Sequence, residues 1–272
     1  MAAMEAKNLA ETPLLLREDR GAVSVVTLNR PEARNPLSLE LIETLHRTIS
    51  ELGSNDCIRA IVITGAGTAF SSGHDLKELT SHRNDSDRGR EFFAKTMNAC
   101  SDLMLAVVRS PKPVIAAVNG IATAAGCQLV ASCDLAVASQ DARFATPGVN
   151  IGLFCSTPMV ALSRNLSRKA AMEMLLLGEL VSAIEAKELG LVNFVVEPTQ
   201  VVNEAVELGR RIAEKPRHTL KIGKEAFYRQ LEMKLEEAYR YAAGVMVENM
   251  LDEEAKEGIG AFLDKRPPNW PD

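Results

Sequence analysis

The segment 113–134, PVIAAVNGIATAAGCQLVASCD, constrains the fold of this chain more than any other part of its sequence. The apolar run at 114–118 is typical of a strand that is buried on both faces. We predict that this strand ends at Asn119-Gly120, and that a turn of small residues at 122–126 leads into a short helix. The first N–H groups of a helix have no partners within the helix. The turn is therefore a candidate site for an anion or an oxyanion.

Gln128 lies one turn into the predicted helix, where its side chain should reach a ligand bound at the turn. An amide neither takes up nor releases a proton at neutral pH, whereas a carboxylate does both. The segment thus has the shape of a catalytic site but lacks an acid or base at this position.

Composition excludes several classes of protein. The chain has 272 residues, of which 46% are hydrophobic and 25% charged, as is usual for a globular protein with a substantial core. The net charge of −5, with scattered Lys and Arg, argues against binding to nucleic acid. The five cysteines show neither CxxC nor Cys/His ligand spacing, so we expect reduced thiols, no disulfide and no metal site. We also expect no membrane span, and no signal or transit peptide in the first sixteen residues.

Strand and helix patterns alternate in the first half of the chain. Strands are predicted at 22–28 and 58–64, with a helix at 38–52 between them that Ser38 caps. The pattern returns with strands at 114–118 and 135–138. This order predicts an α/β fold in which parallel strands are covered by helices, with the ligand crevice at the carboxyl ends of the strands.

From residue 167 onward the pattern is almost entirely helical, which predicts an α/β core at 1–195 and a C-terminal helical region at 196–272. The apolar residues of this region recur at helical spacing, which favours core or subunit interface over a cofactor site. The polar segment 80–90 has the composition of a mobile surface segment near a site. Helices are predicted at 167–177, 182–189, 199–213, 216–230, 235–250 and 252–263.

A second strand–turn–helix unit accompanies the one at 113–134. In IVITGAGTAFSSGHDLKEL (61–79), Gly73-His74 precedes a helix for which Asp75 is the predicted N-cap and Glu78 completes a capping-box pattern. One backbone N–H from each unit would suffice to hold a carbonyl oxygen, each donor contributing roughly 2.7–4 kcal/mol to transition-state stabilisation. The alternative is that both are simply tight turns of an α/β sheet.

Six segments resemble, in order and spacing, the crotonase (enoyl-CoA hydratase/isomerase) superfamily over essentially the whole chain. The resemblance implies a spiral of ββα units with a C-terminal helical region that forms trimers or dimers of trimers. It implies a CoA thioester as ligand or substrate, with no other cofactor, and a mitochondrial role in fatty-acid metabolism. The segments are NRPEARNPLS (29–38), TGAGTAFSSGHDLKEL (64–79), KPVIAAVNGIATAAGCQLVASCDLAVAS (112–139), FATPGVNIG (144–152), SRKAAMEMLLLGELVSAIEAKELGLVNFVV (167–196) and EGIGAFLDKRPPNW (257–270).

The resemblance also implies roles for individual residues. The oxyanion hole would use the backbone N–H groups of His74 and Ala125. Where the family usually has Gly-Gly-Gly, residues 124–126 here are Ala-Ala-Gly, and an Ala at positive φ would be strained. The implied CoA contacts are Ala33, Arg34, Asn35, Ser72, Gly73, Asp75, Leu76, Phe262 and Lys265.

The hydratases of this superfamily use two glutamates, one as acid and the other as base. The matching positions here are Gln128 and Gly148, so both acids are absent. Because each positioned acid or base contributes about 10²–10⁴-fold, ordinary hydration should fall by many powers of ten. Ser156 matches an aspartate of related isomerases but is a poor base. Cys155 is either a nucleophile or a buried structural thiol. The imidazole of His74 is either an acid–base group or part of the lining of the CoA channel.

Two functional hypotheses follow. The first is an acyl-CoA-binding protein with an oxyanion hole, whose activity would need mainly enolate stabilisation, as in isomerisation or decarboxylation, or would be a slow thioester hydrolysis. The second is a non-catalytic member that senses acyl-CoA or serves as an assembly subunit.

Overall fold

A computed structural model describes residues 13–271. Within this range the strands are β1 (Leu15–Arg20), β2 (Val23–Leu28), β3 (Ala60–Gly65), β4 (Ala69–Ser71), β5 (Val114–Val118), β6 (Ile121–Thr123), β7 (Leu135–Ser139), β8 (Arg143–Ala145), β9 (Val181–Ser182) and β10 (Phe194–Val196). The α-helices are α1 (Leu39–Ser54), α2 (Leu76–Ser81), α3 (Arg90–Arg109), α4 (Ala125–Ser132), α5 (Ser156–Asn165), α6 (Arg168–Leu177), α7 (Ala183–Glu188), α8 (Val201–Ala213), α9 (Arg217–Gln230), α10 (Leu235–Leu251) and α11 (Glu253–Leu263).

The larger sheet has six strands in the order β1-β2-β3-β5-β7-β10. All neighbours are parallel except β1 and β2, which are antiparallel. Successive residues of β3 enter different cores: Ile61 joins the one that contains α1 and α3, and Val62 joins the one that contains α8. Burial on both faces explains the uninterrupted apolar runs of β3 and β5. The predicted parallel sheet is confirmed, while β1 was not predicted.

The smaller sheet has the order β4-β6-β8-β9, and β4, β6 and β8 run parallel to one another. Three consecutive units place their first strand in the large sheet and their second in the small one: β3 and β4, β5 and β6, β7 and β8. Each of these pairs leads into a helical segment. This repeat is the ββα spiral that the resemblance implied.

The spiral brings three turns to one edge of the small sheet. Because β4, β6 and β8 are parallel neighbours, their carboxyl ends meet there, as in other sheets whose ligand crevice lies at the strand ends. The segments that follow these strands are 72–75, 124–126 and 146–148. The two predicted turns and the position of Gly148 are therefore adjacent.

The helical second half is confirmed, and its first long helix, α8, packs on the large sheet as part of the core. The helix α9 is tied to the core at Asp134, whose carboxylate accepts bonds from Lys224 Nζ (2.6 Å), Tyr228 Oη (2.9 Å) and Val114 N (2.7 Å). The helices α10 and α11 pack against each other and against α9. Among residues 13–271, no helix is both long and apolar enough to cross a membrane.

The segment 80–90, predicted to be a surface loop, is partly helical. The helix α2 continues to Ser81, a 3-10 turn follows at His82–Asn84, and α3 begins at Arg90. The carboxylate of Asp87 accepts bonds from Gly89 N (2.9 Å) and Glu91 N (2.7 Å), so this side chain organises the start of α3.

Candidate active site

The first turn of the site presents the backbone N–H of His74. Leu37 forms a parallel bridge to His74: Leu37 N donates to Gly73 O at 2.7 Å, and Asp75 N donates to Leu37 O at 3.1 Å. Because Leu37 bonds to the two residues that flank His74, the N–H of His74 itself points away from Leu37. Within residues 13–271 this N–H has no hydrogen-bond acceptor. It is a free donor at the carboxyl end of β4.

The second turn presents the N–H of Ala125, the first residue of α4. The preceding N–H, that of Ala124, donates to Ala145 O at 2.9 Å, whereas that of Ala125 has no acceptor among the described residues. Ala124 has φ 50° and ψ −118°, a conformation that strongly favours glycine. The positive φ anticipated from the Ala-Ala-Gly sequence therefore falls on Ala124, and the donor Ala125 is helical.

The two turns are in direct contact. Thr123 Oγ1 donates to Ser72 O at 3.1 Å. A Cβ on Gly73 would lie 2.8 Å from the Cβ of Ala124 and 3.2 Å from Ala125 N. Gly73 has φ 91°, so both the close approach and the backbone conformation require glycine there. The two turns that carry the free donors therefore pack directly against each other.

A third segment, 30–37, supports the His74 turn, and Asn35 is its centre. Asn35 is fully buried, with φ 51°, a conformation that Asn tolerates better than most residues. Its amide nitrogen donates to Ala66 O (2.9 Å) and Ala69 O (2.8 Å), and its Oδ1 accepts from Arg30 N (2.8 Å). The Asn35 side chain thus holds the loop, and no local pattern in the sequence marks this function.

Asp75 and Glu78 hold α2 against the same support. Asp75 is the N-cap of α2, as predicted, and its Oδ2 also accepts from Arg30 Nη1 at 2.9 Å. Glu78 was predicted to complete a capping box. Instead, its Oε2 accepts from Leu39 N at 2.9 Å, because the start of α1 lies beside α2. The hydrogen bond from Leu39 N to Glu78 thus takes the place of the predicted capping box.

Two uncharged side chains of the candidate site, Gln128 and His74, carry buried polar atoms without partners. Gln128 is 4% exposed, and its Oε1 is buried without a hydrogen-bond partner. The Nε2 of His74 is likewise buried and unpartnered. Burial lowers the pKa of His74 from 6.5 to about 4, so its imidazole is neutral at pH 7. Within residues 13–271 these are the two buried side-chain polar atoms that lack a partner.

The third turn contains Gly148, where a side chain would not fit. A Cβ at this position would lie 2.7 Å from Leu153 O and 2.9 Å from Cys155 Sγ. Burial raises the pKa of the Cys155 thiol, although the Gly148 N–H opposes this shift. A protonated thiol is a poor nucleophile, which favours the structural interpretation of Cys155. Ser156 is exposed at the start of α5, and its Oγ donates to Phe154 O at 3.3 Å.

Comparison with known proteins identifies the family. The model of the enoyl-CoA hydratase/isomerase family matches residues 18–272. The chain belongs to this family. Human enoyl-CoA hydratase domain-containing protein 3, mitochondrial, is 46% identical over 245 residues, covering 90% of this chain and 79% of that protein. The Xenopus laevis protein of the same name is 44% identical over 263 residues, covering 97% and 88%.

Solved structures agree with the family assignment. The crystal structure of an enoyl-CoA hydratase from Mycobacterium smegmatis has a TM-score of 0.90 and 52% identity, and the match covers 95% of this chain and 99% of that one. The crystal structure of human enoyl-CoA hydratase domain-containing protein 3 has a TM-score of 0.89 and 44% identity, covering 95% and 100%. The crotonase-type fold is therefore confirmed.

The residues predicted from the family to contact CoA fall into two groups. The first group consists of residues 33–35 and 72–76. These two segments are neighbours, since Ser72 N donates to Arg34 O at 3.0 Å. Leu76 is half exposed at the start of α2. Phe262 and Lys265 lie at the end of α11, which packs on α9 and α10, and Phe262 is 81% exposed.

The candidate site combines two backbone N–H donors with the uncharged side chains of His74 and Gln128. Among residues 13–271, no group of three His, Cys, Asp or Glu side chains is placed to hold a metal ion. Such donors can bind an electron-rich oxygen, whereas Gln128 and Gly148 offer no carboxylate for proton transfer.

Proposed function

We propose that this chain binds CoA thioesters and holds the thioester carbonyl oxygen between the N–H groups of His74 and Ala125. The observation that supports the proposal is the contact between the two turns, each of which carries an unpartnered backbone donor. Such donors stabilise the negative charge that develops on this oxygen in an enolate or a tetrahedral intermediate. Membership of the hydratase/isomerase family supports a CoA thioester as the ligand.

Ordinary enoyl-CoA hydration is not the reaction we assign. Hydration needs a group that removes a proton from water and a group that delivers one to carbon. Gln128 and Gly148, at the positions that match the family's two acids, supply neither. The activity we propose instead is one that depends mainly on enolate stabilisation, such as isomerisation or decarboxylation, or a slow thioester hydrolysis.

A second candidate is a non-catalytic acyl-CoA sensor or assembly subunit. The crowding at Gly148 favours it, because Leu153 O and Cys155 Sγ occupy the space into which an acidic side chain would extend. If the space for the acidic side chain were open, a water molecule could bind there and transfer protons. The atoms that fill this space beside Gly148 leave less room for such a water molecule. Turnover measurements decide between the two candidates.

We further propose that the chain acts as a homotrimer or a dimer of trimers in mitochondrial lipid metabolism. The exposed apolar residues of α10 and α11, among them Leu235, Tyr239, Leu251 and Phe262, support self-association. A neighbouring copy would bring Phe262 and Lys265 to the CoA site. The mitochondrial location is carried over from the vertebrate relatives, whose names include it.

The test is binding and turnover with a panel of CoA, butyryl-CoA, crotonyl-CoA and malonyl-CoA. We expect each ligand to raise the melting temperature. Cinnamoyl-CoA serves as a spectroscopic probe beside this panel. When bound, it should absorb at a longer wavelength than in solution, because hydrogen bonds to the carbonyl oxygen polarise its conjugated system. If neither CoA nor any thioester changes the melting temperature, the proposed function is wrong.

A matched pair of glycine variants tests whether the two turns cause the spectral shift of bound cinnamoyl-CoA. Gly73→Val places a side chain against Thr123 O and Ala125 N and should abolish the spectral shift. Gly152→Val is the control, because Gly152 also has positive φ (77°) but has no atom within 4 Å of its added Cβ. An equal spectral shift in the two variants would contradict the assignment of the oxyanion donors.

A further inference from the structure

The helix α6 (Arg168–Leu177) has an apolar surface on the side that faces away from the core. Its buried residues include Met174 and Leu175, which belong to the core. Met172 and Leu176 lie four residues apart, hence on one side of the helix, and are 41% and 57% exposed. Leu180, just beyond the helix, is 57% exposed as well. Adjoining apolar side chains of this kind mark a surface that binds another molecule.

The charged residues on this side of α6 are arranged against the helix dipole. Arg168 and Lys169 lie in the first turn, which has no acidic residue, and Glu179 follows the last turn, which has no basic one. The dipole favours the opposite arrangement. Within residues 13–271, none of these three side chains forms an ion pair. Such charges do not stabilise the helix of a single chain, so they are better explained by opposite charges on a second molecule.

A cavity of about 250 Å³ lies beside the second half of α6 and is both apolar and acidic. A lysine or arginine side chain matches such a cavity, because its methylene stem is apolar and its end is positive. Of the carboxylates that line the cavity, that of Glu185 accepts from Ser182 N and Oγ. The lining includes Glu173, Met174, Leu177, Glu179, Glu185 and Glu188.

The two ends of α6 are complementary to each other across a two-fold axis. In a contact with this symmetry, each residue that meets a second residue of the other copy is met in turn by that residue. We consider two α6 helices packed antiparallel with the axis near Met174. Met172 of each copy then faces Leu176 of the other, and Lys169 faces Glu179, because the members of each pair lie equally far from the axis along the sequence. The Lys169 side chain thereby meets the acidic cavity of the other copy.

We propose that a second copy of this chain binds to the exposed side of α6 through an antiparallel contact between two α6 helices. This surface is separate from the exposed apolar residues of α10 and α11, which support the proposed trimer. A two-fold contact through α6 therefore joins two trimers. The proposal rests on the proposed self-association and deepens it, because it names the surface and requires an even number of chains in the assembly.

The experiment counts the chains in the assembly by light scattering and sedimentation velocity at micromolar concentration. We expect an even number for the unmodified protein. Lys169→Glu places two acidic residues opposite each other at both ends of the contact, so the mass should fall by half. Glu179→Lys places two basic residues there and should have the same effect. The double variant Lys169→Glu/Glu179→Lys exchanges the two charges and should restore the mass of the unmodified protein.

Two further variants complete the design. Arg47→Glu, at an exposed position of α1, is the control for charge reversal and should keep the full mass. Leu176→Asp tests the apolar part of the contact and should halve the mass without any change at Lys169 or Glu179. Because Lys169→Glu also improves the charge pattern along the helix dipole, its melting temperature distinguishes loss of the contact from unfolding of α6.

The outcomes separate this inference from the proposed function. An assembly of three chains would overturn the α6 contact alone, and a single chain would refute the proposed trimer as well. Full mass in both single charge variants, or failure of the double variant to regain it, would also overturn the α6 contact. Binding of butyryl-CoA, measured by melting temperature on the same samples, tests the thioester site independently of the number of chains.

Discussion

The backbone at Ala124 permits a sharp test of the site geometry, because Ala124→Gly should stabilise the protein. Ala124 has φ 50° and ψ −118°. Holding a residue other than glycine at these angles costs of order 1–3 kcal/mol, a cost that glycine would not incur. Two losses oppose this gain. Glycine makes the unfolded chain more flexible, at about 0.4–1 kcal/mol, and the half-buried methyl group contributes roughly 0.4 kcal/mol as half of a buried carbon. The net expectation is a gain of about 1 kcal/mol in the free energy of unfolding.

The assay is urea denaturation, supported by the melting temperature, which should rise by about 2–4 °C. Ala94→Gly is the matched control, since Ala94 is exposed within α3, where glycine should cost about 1 kcal/mol. The two substitutions are chemically identical, yet they should change stability in opposite directions. If Ala124→Gly destabilises the protein as much as Ala94→Gly does, the conformation assigned to the turn is wrong.

Three further predictions concern the support, the protonation and the crowding of the site. Asn35→Ala would remove the side-chain partner of three backbone groups, one buried and two partly buried, so we expect a loss of roughly 2–3 kcal/mol of stability in urea denaturation. A loss below about 1 kcal/mol would contradict its supporting role. The pKa of His74 is lowered from 6.5 to about 4, so between these pH values the unfolded state binds more protons than the folded state. The free energy of unfolding should therefore fall as the pH drops from 6.5 to 4, by about 3 kcal/mol at most. His74→Gln should flatten this dependence, and an unchanged slope would show that another group titrates. Gly148→Glu should cost about 1–3 kcal/mol because of the contacts with Leu153 O and Cys155 Sγ, and should not create hydration of crotonyl-CoA; a measurable rate of hydration would show that the position is open.

Much of the fold could be predicted from local patterns. The predicted strand at 114–118 coincides with β5, and Ser38 caps α1 as its position before an amphipathic segment indicated. Burial on both faces and helical periodicity leave clear marks in the sequence. The three-residue strands β4, β6 and β8 leave no such mark, because a short strand shows neither a long apolar run nor clear alternation. The local patterns therefore missed the small sheet, and only the resemblance to the family implied it.

The candidate site, like the fold, could be predicted only in part from local patterns. The small-residue turns at 72–75 and 122–126 were visible in the sequence, since glycine and alanine punctuate strand–helix junctions. The supporting contacts made by Asn35, Arg30 and Glu78 were not, because each joins segments that are separated along the chain. The pairing of Glu78 with Leu39 even replaced a capping box that the local spacing favoured.

The sequence by itself determined the alternation of strands and helices, the two turns that supply backbone donors, and the amide at Gln128, because these depend on residue type and short spacing. The tertiary structure alone decided that the two turns that carry these donors are in contact, that Gly148 has no room for a side chain, and that His74 Nε2 and Gln128 Oε1 lack partners. The physical reason is that these properties depend on the parallel alignment of β4, β6 and β8, which long-range pairing creates and which no single segment specifies.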